Sequence, residues 1–81
     1  MYKVVIVDAA NIREPLVSEI VKIGSLDVAN ARAKSEAYDT AEVLLGEWRV
    51  VRESMSTGKY GARLEPTTGE HGYIVVMVAE Q

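Results

Sequence analysis

Asp8 ends the apolar run Val4-Val5-Ile6-Val7, and Asn11 follows three residues later. The carboxyl end of a strand is where α/β folds often place ligand-binding groups. One carboxylate holds Mg²⁺ or Mn²⁺ poorly, however, because these hard cations take several oxygen ligands. A phospho-acceptor role for Asp8 lacks a companion acidic pair and a later lysine in suitable context. The plainer expectation is a strand end followed by a turn in which the aspartate bonds its own backbone. His71, the single histidine, stands in Gly69-Glu70-His71-Gly72. Glu70 alone makes no catalytic pair with it, and no Ser or Cys nucleophile is signposted, so a solvated turn histidine is expected. Ser56-Thr57-Gly58-Lys59 is superficially like a phosphate loop, but Glu53 stands where the first glycine belongs and Tyr60 where Ser or Thr must follow the lysine. Arg49, Arg52, Lys59 and Arg63, with Tyr60, form the one basic-aromatic grouping. RNA-binding sheets stack bases on such aromatics. On the same strands Glu47, Glu53 and Glu65 offer cross-strand ion pairs instead.

The stretch Val4-Val5-Ile6-Val7-Asp8-Ala9-Ala10-Asn11-Ile12 resembles the opening of the PIN/NYN-type nucleases: a hydrophobic strand, then Asp, two residues, Asn and a hydrophobic residue. The resemblance implies Asp8 as a divalent-metal ligand and Asn11 as its support, in a minimal metal-dependent nuclease. It covers nine of the 81 residues. Ala9 stands where that family usually has Gly, and no second or third strand-end aspartate is evident.

With 81 residues the chain makes a single domain, 1–81, and buries only roughly 60% of its unfolded surface, so its stability is marginal without help. No cysteine is present, which excludes disulfides and zinc–thiolate sites and makes a reducing compartment the default. The short apolar run after Lys3 is too brief for a signal peptide or a membrane span, so a cytoplasmic protein is expected. A net charge of −3 and a pI near 5.0 make a non-specific nucleic-acid binder a poor expectation. The acid excess is also too small and scattered for a DNA mimic. No cofactor is implied.

The chain is organised around Leu26 to Leu45, read as one amphipathic helix. Stepping about 100° per residue gathers Leu26, Ala29, Asn30, Ala33, Ala37, Thr40, Ala41 and Leu44 into one stripe. Asp27, Ala31, Arg32, Ser35, Tyr38, Asp39 and Glu42 fall opposite, towards water. The alanines allow a close approach to whatever lies beneath. Ser25 or Asp27 supplies a cap and Gly46 a stop. Tyr38-Asp39-Thr40 are poor helix formers that could end it early.

Tyr2 to Asp8 and Tyr73 to Ala79 are apolar on both faces and read as central strands, neighbours of one another. Glu47 to Glu53 is a strand with Trp48 and Val50 inward and Arg49 and Glu53 outward. Lys59 to Glu65 alternates cleanly, with Tyr60, Ala62 and Leu64 on one side. Gly61 weakens a strand interior, which marks Tyr60 to Leu64 as a short edge. Ser56-Thr57-Gly58 and Pro66 to Gly72 are turns. Leu16 to Ile23 suits either a strand or a short helix, although eight residues is strand length.

These elements give an α+β fold: a four- or five-stranded, mainly antiparallel sheet on one long helix, ordered ββαβββ, with βααβββ as the alternative. One helix covers one face of a sheet whose central strands are apolar on both. Val5, Val7, Ile74, Val76 and Val78 are therefore expected at an interface with a second copy or a protein partner. The function expected is a non-enzymatic, protein-binding accessory module, similar in size and layout to small inhibitors of phages and mobile elements. The alternatives are the nuclease built on Asp8 and Asn11, and a weak RNA-binding sheet using Arg49, Tyr60 and Arg63.

Overall fold

A computed structural model describes residues 1–43 and 46–81. The order is β1 (Tyr2–Ala9), β2 (Leu16–Ile23), α1 (Leu26–Val43), β3 (Trp48–Ser54), β4 (Gly61–Pro66) and β5 (Tyr73–Glu80). A short 3₁₀ turn at Ser56–Gly58 joins β3 to β4. The strands form one antiparallel sheet in the order β2-β1-β5-β4-β3, and α1 lies across one face. This is the ββαβββ arrangement, with β1 and β5 paired inside the sheet and β3-β4-β5 as a meander. The end of the expected helix at Leu44 and Leu45 lies outside the described residues. Gly46, just beyond, has φ +75°, the conformation that stops a helix.

The helix packs through its alanines. Ala29, Ala33 and Ala37 are fully buried and meet Val4, Leu64 and Val76, which are fully buried in the sheet. Tyr38-Asp39-Thr40 do not end the helix. Thr40 Oγ1 donates to the Glu36 carbonyl at 2.7 Å, Ser35 Oγ donates to Asp39 at 3.3 Å, and the Tyr38 hydroxyl is bound by β3. Two local bonds within the helix and one tertiary bond to Glu53 thus accompany these weak formers, and the helix runs through them. Among the described residues no helix is long and apolar enough to cross a membrane.

Two bulges shape the sheet. In β2, Ile20 pairs with Val4 and Ile23 with Tyr2, so Val21 and Lys22 together oppose Lys3. Lys22 sits at φ +62°, and Ile20 and Ile23 both reach the core. Two core residues three apart mimic a helical period, which is why this strand reads ambiguously in the sequence. In β3, Val50 pairs with Leu64 but Arg52 with Arg63, leaving Val51 as the extra residue. The face of every later residue is exchanged.

That exchange corrects one expectation: Glu53 pairs with Ala62 and lies on the helix side, not outward. A second correction concerns the sheet edge. The strand expected there, Tyr60 to Leu64, is interior, because β4 lies between β5 and β3; the edges are β2 and β3. Gly61 is accommodated because it faces away from the helix, while Ala62 and Leu64 fill the core. Gly72, at φ +128°, admits no side chain: a Cβ there would lie 2.8 Å from the Ala10 carbonyl oxygen.

Substituting Ala33→Leu forces a larger side chain between helix and sheet and is expected to cost about 1–3 kcal/mol. Ala31→Leu, on the exposed side, should stay within about 0.5 kcal/mol of wild type in the same urea titration. Equal stabilities for the two variants would contradict the packing described.

Candidate functional site

Strand parity divides the expected site residues between the two faces. Val4, Ile6, Ile74, Val76 and Val78 lie under the helix, and Ile74, Val76 and Val78 are buried in the core. Their assignment to an interface is therefore corrected: of the expected set, only Val5 and Val7 lie on the open face. Their cross-strand neighbours there are Met77 and Val75 from β5, with Val17 of β2 opposite Val7. Val17 is 63% exposed and Met77 39%, so this apolar strip is in water.

The same parity brings most of the basic grouping together. Arg49, Arg52 and Arg63 lie on the open face, opposite Glu65, Arg63 and Val75 respectively. Lys59, two residues before Gly61 on the same alternation, borders the same hollow. Tyr60 does not belong with them. It points under the helix and is buried, so its assignment to a binding surface is corrected. Arg63 Nε bonds Glu65 at 2.9 Å, and its guanidinium lies 4.5 Å from the centroid of the Tyr73 ring. Lys59 Nζ reaches Glu80 at 3.6 Å, and Lys3 Nζ reaches Glu19 at 3.2 Å. Arg49 and Arg52 have no carboxylate within ion-pair distance among the described residues.

At the centre of the basic half is a hollow of about 420 Å³. Its floor is Gly61, between Met77 of β5 and Ser54 of β3. Arg52, Lys59 and Arg63 rim it, and Val75 and Met77 form its apolar wall. The open face is therefore half aliphatic, over β2-β1-β5, and half cationic, over β4-β3.

Two residues that hold this region were not singled out by the sequence. Asn30 donates through Nδ2 to the Gly58 carbonyl at 2.8 Å and accepts the Tyr60 N–H on Oδ1 at 2.9 Å. It fixes the turn that carries Lys59 into β4. Glu53, turned inward by the bulge, accepts the Tyr60 hydroxyl and the Tyr38 hydroxyl, each at 2.7 Å. These bonds, Tyr60's first and aided by the Lys34 charge, hold the Glu53 carboxyl below its ordinary pKa, with burial opposing. Burial, then the bond to Glu53, pushes the Tyr60 phenol well up, and the bond to Glu53 raises Tyr38. The signal for Asn30 was its place in the alanine stripe. Nothing in the alternation of β3 announced Glu53.

Asp8 Oδ1 accepts the Ala10 N–H at 3.0 Å, and Asn11 Oδ1 accepts the Arg13 N–H at 3.1 Å. Both side chains thus stabilise the turn after β1. Asp8 borders a hollow with Glu36, Asp39 and Thr40 of the helix, but no cluster among the described residues is arranged to hold a metal ion. His71 is exposed in its turn. Comparison of the chain with known protein families, with characterised proteins and with solved structures finds no match.

Glu53→Gln removes the charge that the two phenols favour. Because the folded-state pKa is lowered, the stabilisation is present above the ordinary carboxylate pKa and is lost as pH falls through the folded value. Wild type should therefore exceed Glu53→Gln in stability at neutral pH, and the gap should narrow in urea titrations below about pH 4.5. A gap that is independent of pH would contradict the charged pairing.

Proposed function

We propose that the protein is a non-enzymatic binding module that docks a protein on the sheet face opposite its helix. It would act as a small accessory or inhibitory chain by occupying part of a larger protein's surface. One observation carries this reading: Val5, Val7, Val17, Val75 and Met77 form a continuous aliphatic strip that no element among the described residues covers. Central strands apolar on both faces ordinarily have both faces packed, and exposed apolar patches mark interaction sites. Asp8 and Asn11 bond the backbone of the turn after β1, whereas the side chains of the strip have no such bonds to make and gain by being covered. A second copy of the chain is the other occupant to distinguish.

Val7→Lys and Met77→Lys place a charge on the strip without touching the core. Both variants should unfold within about 1 kcal/mol of wild type. Used as tagged bait in source-cell extract, wild type should retain a protein in stoichiometric amount that both variants lose. A partner retained equally by all three, or a wild-type chain that stays monomeric in sedimentation and retains nothing, would overturn the reading.

A further inference from the structure

We infer that the hollow over Gly61 is a carboxylate-binding subsite, and that the docked partner presents an acidic segment with an aliphatic side chain beside its carboxylates. This rests on the open face being the docking surface, and it names the chemistry of the occupant. Three cationic side chains, Arg52, Lys59 and Arg63, ring a hollow centred on Gly61, which has no side chain of its own. Two of them already have one carboxylate neighbour each, Glu80 and Glu65, while Arg52 has none among the described residues. A guanidinium is built for bidentate recognition of a carboxylate, and Ser54 at the floor adds a hydroxyl donor. Val75 and Met77 continue directly from the hollow into the aliphatic strip, so an occupant must satisfy both chemistries at adjacent positions.

The alternatives fit less of the surface. A single-stranded nucleic acid needs free aromatic faces, but Tyr73, the aromatic that strand parity places on the open face, is covered on one side by the Arg63 guanidinium. The chain's net charge of −3 also opposes a long polyanion, whereas a short acidic segment meets only the local cations. The outer side of the helix, with Asp27, Asp39 and Glu42, could itself seat on the hollow of another copy, but Arg32 and Lys34 interrupt its acidic side chains and would face the same cations.

The test is an amide-shift titration by NMR of the full chain with a capped peptide alternating leucine and glutamate. Oligouridylate and the matching leucine–lysine peptide are run in parallel. The expected result is saturable shifts at Arg52, Lys59, Gly61, Arg63 and Met77 with the acidic peptide. Arg52→Glu, and Gly61→Leu, which fills the hollow without changing charge, should each weaken binding by roughly tenfold or more, with the rest of the spectrum intact. No shifts at millimolar peptide, or shifts elsewhere, would overturn the subsite. So would oligouridylate binding tighter at the same residues, or concentration-dependent shifts at Arg52 and the helix without peptide. If the subsite fails while a partner sensitive to Val7→Lys is still retained, the acidic occupant is wrong and the docking face stands. If both fail, the docking face falls too.

Discussion

Three alanines, Ala29, Ala33 and Ala37, bring the helix backbone down onto Val4, Leu64 and Val76. The rest of the architecture follows from that close approach. The alanines let the helix lie close along the middle of the sheet while larger side chains such as Tyr60, Leu26 and Trp48 fill the margins, and the helix lies against every strand. The contact also decides what stays uncovered. One helix screens one face, and the aliphatic side chains that alternate outward on β1, β2 and β5 keep theirs in water.

The edges of this layer are held by polar pairs rather than by more apolar surface. Asn30 reaches from the helix to both sides of the turn before β4, and Glu53 gathers hydroxyls from Tyr38 on the helix and from Tyr60 just before β4. The Asn30 bonds are neutral, whereas those to the Glu53 carboxylate are charge-assisted and so about twice as strong. They hold the β3–β4 corner against the helix. That corner carries Arg52, Lys59 and Arg63, so the bonds that fix one face also fix the spacing of the cations on the other.

Charge is divided in the same way. The outer side of the helix carries Asp27, Asp39 and Glu42 against Arg32 and Lys34, while the open face over β3 and β4 carries Arg49, Arg52 and Arg63 against Glu65. The net charge of −3 conceals a sheet surface of the opposite sign. Composition alone therefore argued against an anionic partner more strongly than the surface itself does.

The linear pattern was sufficient wherever a strict period ran unbroken. The stripe from Leu26 to Ala41 specified the helix and its buried side, and the doubly apolar runs in β1 and β5 specified neighbouring interior strands. The alternation Tyr60, Ala62, Leu64 specified the inward side of β4. The Asx turn at Asp8 was legible because it is made within three residues. What the sequence could not decide was parity across a bulge. The extra residue at Val51 turns Glu53 inward, and the one at Lys22 puts Ile20 and Ile23 on one side, because the side-chain period of two is reset wherever one strand gains a residue on its partner. Strand register was likewise out of reach. It is a pairing between segments far apart in the chain, and it alone placed Ile74, Val76 and Val78 in the core while leaving Val75 and Met77 beside the cations.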